Sequence, residues 1–321
     1  MPTRRTLLLG SVSAALSPLA AGAQAYPSRA IRLIVPFSAG APDTVARIIG
    51  QQLSVQLGQP VVIENRPGAN GVTGTHEVVK APPDGHTLLI VSSSFAVNPS
   101  IYRKLPYDPL GDLEPVTSIC ATEGYILVVH PSVAAKTVQE LVALAREAGN
   151  RLAYGSPGVG NTLHLAGALL NARAGIDMAH VPYRGGGPAL SALMSGEVTM
   201  AFLNLPTILP QAQSGTLRIL GLAELRRSAL EPDIPTMSEV GLPDFAVASW
   251  CAIFVPRRTP GPVIARFNAA IREAVADEAL RARFLALGVD PRVSSPEELD
   301  QIVARDFAFW GPVIRSANIT L

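Results

Sequence analysis

Residues 31–74 read IRLIVPFSAGAPDTVARIIGQQLSVQLGQPVVIENRPGANGVTG. The apolar run at 31–35 predicts a buried strand. A helix over 43–57 follows, because Val45, Ile48, Ile49, Leu53 and Leu57 share one face at the 3.6-residue period. A second strand at 60–63 leads into ENRPGANGVTG, whose Gly68, Gly71 and Gly74 stand at every third position. A short helix over 75–80 and a strand over 87–91 complete a β-α-β-α-β series, the pattern of a sheet with crossover helices.

A second series begins near Tyr125. It alternates strand 126–129, helix 137–147, strand 152–154, helix 162–171, strand 180–182 and helix 188–194, then strands 198–203 and 217–222. From Pro260 onward the pattern is helical, over 263–275, 278–287 and 296–317, interrupted at Gly288 and Pro291. Two α/β units with a helical tail predict two lobes. Ligands of such sheets sit beyond the carboxyl ends of strands, so the strand-to-helix turns are the places to search.

Composition narrows the function. The chain has 321 residues, 48% hydrophobic and 16% charged, with a net charge of +1. No basic run exceeds Arg226-Arg227 or Arg257-Arg258, which argues against a nucleic-acid partner. Thr3-Arg4-Arg5, a broken apolar stretch over 6–20 and the terminal Ala23-Gln24-Ala25 form a cleavable signal at 1–25, with the mature chain starting at Tyr26. The paired arginines fit either a Sec or a twin-arginine signal. The expected location is the periplasm, and nothing calls for a membrane span or a lipid anchor. In such an oxidising compartment Cys120 and Cys251 could be bonded, but their apolar surroundings favour two buried thiols on spacing alone.

Four turns draw attention. In the first, PFSAGAPDT (36–44), small residues precede a helix start, with Asp43 read as its N-cap. ENRPGANGVTG lacks both G-x-G-x-x-G and a G-K-[ST] ending, so neither nucleotide fingerprint fits. The third, GSPGVGNT (155–162), matches the spacing of a phosphate loop, yet Asn161 stands where the lysine belongs. What remains is an anion cradle with Ser156 and Thr162 as hydroxyl donors and His164 nearby; His164 serves equally as a structural histidine. The fourth, HVPYRGGGP (180–188), offers Arg184 to a carboxylate and places Pro188 at a helix start. No hydrolase, zinc or calcium motif is present, and the five histidines lack metal-ligand spacing. The turns point to binding without a cofactor.

Taken in order, these and further motifs resemble one family. They include Pro36-Phe37…Gly40…Asp43, Glu64-Asn65-Arg66-Pro67-Gly68-Ala69…Gly71, Pro83-Asp84-Gly85-His86-Thr87, and Gly155-Ser156…Gly160…His164-Leu165-Ala166-Gly167. His180-Val181-Pro182-Tyr183-Arg184-Gly185, Arg227-Ser228, Asp233-Ile234-Pro235-Thr236, Ser249-Trp250 and Phe309-Trp310-Gly311 continue the match to the end. The chain resembles the Bug family, the extracytoplasmic solute receptors of tripartite tricarboxylate transporters. The resemblance implies an α/β, two-lobed periplasmic-binding-protein fold of type II (Venus flytrap), with two crossing hinge strands. Lobe 1 would comprise 26–121 plus 251–321, and lobe 2 would comprise 122–250.

It also implies a small carboxylate ligand and, as partners, the membrane permease subunits of such a transporter, with the receptor itself a monomer. Carried over, the ligand-binding set is Phe37, Ser38, Ala39, Gly40 and Ala41 with Gly68, Ala69, Asn70, Gly71 and Val72 in lobe 1. Across the cleft it is Ser156, Asn161, Thr162, His164, Arg184, Gly185, Gly186 and Asn204. The first turn is a residue shorter than is usual and lacks the paired glycine, and Asn161 replaces the commoner Thr or Ser. Cys120 and Cys251 then lie near the same hinge, and a disulfide becomes feasible if their Cα atoms come within about 7 Å. Two other readings compete: a receptor feeding a sensor kinase, and an exported hydrolase using Ser156 with His164.

Overall fold

A computed structural model describes residues 26–38, 40–122, 124–228, 231–247, 249–317 and 319. The expected signal at 1–25 and Ala39 fall outside the described residues.

Two sheets organise the chain. The first takes β1 (Ile31–Val35), β2 (Val61–Asn65), β3 (Thr87–Ser92), β4 (Leu113–Thr122), β10 (Trp250–Pro256) and β11 (Val289–Pro291) in the order β11-β4-β10-β3-β1-β2. The second takes β5 (Tyr125–Val129), β6 (Ala153–Ser156), β7 (Ala179–Pro182), β8 (Met200–Asn204) and β9 (Arg218–Leu222) in the order β7-β6-β8-β5-β9. The β2, β1 and β3 strands run parallel, as do β7, β6 and β8, so each group ends at one edge. The later strand β10 is antiparallel to β3 and β4, and β5 is antiparallel to β8 and β9.

Helices leave those carboxyl edges. In the first lobe they are α1 (Ala41–Leu57), α2 (Val72–Val79) and α3 (Ser94–Ile101). In the second they are α5 (Thr162–Ala174), α6 (Gly186–Met194) and α7 (Leu205–Gln213), with α4 (Val138–Ala148) following β5. The tail is α8 (Gly261–Ala276), α9 (Glu278–Ala286) and α10 (Pro296–Ser316). The predicted apolar face of α1 is the buried one: Val45, Ile49 and Leu53 are fully shielded. Each such side chain contributes roughly 1.5–3 kcal/mol of transfer free energy. Gly58 ends α1 in the left-handed conformation at φ 67°, the usual way a helix stops. Among the described residues no helix is long and apolar enough to cross a membrane.

Three elements differ from expectation. The helices α3 and α7 form although Pro99 and Pro210 stand inside them, and the short strand β11 forms within the helical tail. Each proline lies late in its helix, and the surrounding core overrides its cost. The first turn also shifts. Gly40 is the N-cap of α1, so Asp43 is a first-turn residue rather than the cap. Its buried carboxylate accepts from Asn65 Nδ2 at 2.9 Å and from Arg47 Nε at 3.0 Å.

The lobes meet through two short crossings. The chain passes from β4 to β5 after Thr122 and returns before β10 at Ser249. Thr122 and Ser249 clasp each other there: Thr122 N–H donates to Ser249 O at 2.7 Å and Ser249 N–H to Thr122 Oγ1 at 2.8 Å. The arrangement is the two-lobed periplasmic-binding-protein fold.

Candidate functional site

The carboxyl edges of the two sheets face each other. Asn70 Nδ2, in the turn before α2, reaches Gly160 O before α5 at 3.4 Å. Ser93 Oγ, at the start of α3, lies 2.9 Å from Thr162 Oγ1 at the start of α5 and 2.9 Å from Ser249 Oγ at the crossing. The second and third turns, with Ser93, therefore meet where the two sheets face each other; the first turn adjoins the second through Asn65 Nδ2, which donates to Phe37 O, and the fourth adjoins the third through Gly185 N–H, which donates to Pro157 O.

The second turn is more strained than its glycines suggest. Gly68, Ala69, Asn70 and Gly71 have φ of 144°, 47°, 50° and 90°, four successive residues on the positive side. Asparagine tolerates the left-handed region through local hydrogen bonding, whereas for alanine it costs about 1 kcal/mol or more. Asn98, 1% exposed, holds this conformation by accepting from Asn70 Nδ2 at 2.9 Å and donating to Asn70 O at 3.1 Å. Gly71 N–H turns inward to Gly68 O, but neither Ala69 nor Asn70 N–H has a backbone acceptor among the described residues. Successive left-handed residues with free N–H groups form a concave anion site. Phe37 lies against Gly71, where an added Cβ would meet the ring at 3.3 Å. Ser38, Gly40, Gly68 and Ala69 are exposed, and Gly71 and Val72 are buried.

Beneath this turn, charges are already committed. Arg32 binds Glu64 through two hydrogen bonds of 2.7 and 2.9 Å and reaches Glu77 at 2.7 Å. The Arg32 hydrogen bond holds the Glu64 carboxyl below its ordinary range. Glu64 therefore anchors the end of β2 and is not a ligand group.

In the second lobe, Asn161 caps α5 by accepting from Leu163 N–H at 2.9 Å. Helices α1, α2 and α6 begin instead at glycines, Gly40, Gly71 and Gly185, with no side-chain cap. By contrast α4, α9 and α10 are capped by Thr137, Asp277 and Ser295; α3, α7 and α8 also start without a side-chain cap. An uncapped N-terminus facing a cleft offers free N–H groups and a positive dipole end to an anion. A Cβ at Gly185, Gly186 or Gly187 would meet nothing within 4 Å, so this backbone borders open space, with Arg184 exposed beside it. Asn204, at the start of α7, has a buried side-chain oxygen with no hydrogen-bond partner among the described residues. Such an atom is costly unless something fills the cleft.

His164 is buried and packs against the third turn. Its Nδ1 accepts from Gly160 N–H at 3.1 Å, so it shapes the third turn from behind. Its ring stacks on His180 with centroids 3.8 Å apart, and Tyr154 stacks on His180 at 5.0 Å. Burial, aided by the charge His180 would carry, lowers the His164 pKa to about 3, and burial lowers that of His180 to about 4. Both rings are neutral near pH 7. Ser156 Oγ pairs with His180 Nε2 at 2.7 Å, not with His164, and Ser156 is fully buried. No carboxylate bonds either imidazole among the described residues, so the pair lacks the orienting third group of a hydrolase.

Ser93 and Asn98 hold the turns in place and lie outside every motif read from the sequence, whereas His180 and Ser249 stand in the quoted motifs without a role assigned to them. The run Ser92-Ser93-Ser94, which ends β3 and opens α3, is a signal of the right kind, another strand-to-helix turn. Pro99, inside the segment that follows, argues against a helix there and so hides this turn in the sequence.

Comparison with known proteins places the chain in a family. Residues 45–319 match the family model described as "Tripartite tricarboxylate transporter family receptor". The chain is 35% identical over 302 residues to Protein BugT of Bordetella pertussis, covering 93% of this chain and 92% of that protein. It superposes on R. palustris Rpa4515 with adipate at a TM-score of 0.82 and 31% identity, covering 92% of this chain and 100% of that one. It also superposes on MatC from Rhodopseudomonas palustris with bound malate at 0.77 and 33% identity, covering 90% and 100%.

Proposed function

Because the chain belongs to the tripartite tricarboxylate transporter receptor family, we propose that it captures a small organic acid between its lobes in the periplasm and delivers it to the permease subunits of such a transporter. The observations that support this reading are the uncapped starts of α1 and α2 in one lobe and of α6 in the other, together with the contact of Asn70 with Gly160 O across the lobes. In this reading lobe 1 is 26–121 plus 251–321 and lobe 2 is 122–250. The left-handed turn 68–71 and the start of α1 hold one carboxylate through backbone N–H groups. Asn161, Thr162, Asn204, Arg184 and the start of α6 close on the rest of the ligand. Two superposing proteins carry adipate and malate, both dicarboxylates, and an arginine opposite a backbone cradle suits an acid charged at both ends.

The test is thermal: purified mature chain is melted with mono-, di- and tricarboxylates, and a binding acid raises the transition temperature by mass action. A broad screen with no shift, and no acid released from the purified protein on denaturation, would overturn the proposal. Delivery to a transporter is tested separately by uptake of the labelled acid, which deletion of the receptor should abolish. Retained uptake with a lost transcriptional response would favour a receptor for a sensor kinase.

A further inference from the structure

We propose that Cys120 and Cys251 become joined by a disulfide in the exported protein, pinning the two hinge strands together on the first-lobe side of the crossing. The proposal rests on the periplasmic location argued above and on nothing about the ligand. Cys120 on β4 and Cys251 on β10 are directly opposed in antiparallel register. Directly opposed residues of antiparallel strands have Cα atoms about 4.5–5.5 Å apart, within the span of about 4.4–6.8 Å that a disulfide bridges. In this structure both are free, buried thiols. The chain has 2 cysteines in all, so no competing intramolecular partner exists.

The position gives the bond a purpose. The next rungs are Trp250 opposite Ala121, then the Thr122–Ser249 clasp, beyond which the chain enters the second lobe. The sulfurs thus sit just below the pivot. A covalent tie there would keep β4 and β10 in register while the lobes rotate above it. It would also close a loop running from residue 120 to residue 251, a long one, and loops of that size restrict the unfolded chain most.

The chemistry balances as a thiol–disulfide exchange. One cysteine, as its thiolate, attacks a sulfur of an oxidant disulfide, either a periplasmic dithiol oxidase or oxidised glutathione, and a mixed disulfide forms as the oxidant's first thiolate leaves. The second cysteine then attacks the mixed disulfide and releases the oxidant's other thiolate. The two cysteines lose two protons and two electrons, and the oxidant is reduced to a dithiol or to two glutathione thiols. Burial shields both sulfurs once folding is complete, so the exchange takes place while β10 is docking on β4.

The test is mass spectrometry of mature protein from a periplasmic extract, denatured in N-ethylmaleimide. The expected result is a mass two hydrogens below the reduced chain, no adduct, and a peptide pair linked through Cys120 and Cys251. Two maleimide adducts on the periplasmic protein would overturn the proposal. If the protein is recovered only from the cytoplasm, the location has failed rather than the pairing. Refolding in a glutathione redox buffer then decides: the linked peptide supports the proposal and two adducts overturn it. In either preparation the oxidised wild type should melt above the reduced one, while the Cys120→Ala/Cys251→Ala variant should be indifferent to reductant.

Discussion

Asn98 and Asn70 hold each other reciprocally, side-chain amide to side-chain oxygen at 2.9 Å and side-chain amide to backbone oxygen at 3.1 Å. This pair locks a non-glycine residue of the turn 68–71 that also reaches the opposite lobe. Asn98→Ala leaves a buried carbonyl and amide unmatched, which costs about 1–3 kcal/mol. The expected outcome is a lower melting temperature and weaker binding together, read by calorimetry and by ligand titration of the same variant.

Ala69 carries strain that a glycine would relieve. At φ 47° its Cβ opposes the backbone, so Ala69→Gly should stabilise the protein by about 0.5–1 kcal/mol, less the added freedom of the unfolded chain. Ala69→Val should destabilise it, because a β-branched residue fits that region worst. Chemical denaturation of the three proteins ranks them Gly, Ala, Val if the turn is as described.

Stability should fall on the acid side before the carboxylates matter. His164 has a folded pKa of about 3 against about 6.5 when unfolded. The unfolded chain therefore binds the proton first, and the folded advantage, complete above pH 6.5, declines as pH falls toward 3. The slope for this residue is on the order of 1 kcal/mol per pH unit. His180 acts in the same direction, with a folded pKa of about 4. Denaturant midpoints from pH 7 to pH 4.5 should drop steadily in the wild type and less steeply in His164→Gln, which keeps an acceptor for Gly160 N–H.

Arg184 is the exposed cation beside the α6 start. Arg184→Ala should weaken a dicarboxylate by roughly 10- to 100-fold, the worth of one charge-assisted hydrogen bond. A monocarboxylate of equal chain length should lose little. Calorimetric titration of both acids into both proteins separates the two cases.

Much of this architecture was legible because strands and helices alternate with clean periods. The face of α1 and the start of α5 at Thr162 follow from apolar spacing and the small residues before it, whereas α6 begins at Gly186, two residues before the Pro188 that the sequence offers as its first position. What stayed hidden depends on tertiary contact. Nothing local shows that Ala69 would be left-handed, since that conformation is imposed through Asn98, 28 residues away from Asn70. In sequence His164 reads equally as a ligand group or a structural histidine, because it opens a helix at an anion-friendly loop. Its actual partners, Gly160 and His180, follow from the packing of α5 against β7 and from the parallel register of β6 and β7.

The C-terminal helix α10 belongs to both halves. Leu299 and Val303 sit in the core beside Phe95 and Phe254, whereas Trp310 and Ile314 sit in the core of the five-stranded sheet with Val97 and Ile101 from α3. Near the start of β10, Trp250 Nε1 adds a 2.7 Å bond to Asp306 midway along it. Neither lobe can lose its order without uncovering part of the other, so heating should give a single calorimetric transition rather than two. Removing the chain from Phe309 onward should strip the second lobe of its cover and turn one cooperative unit into a folded half carrying an unstable one.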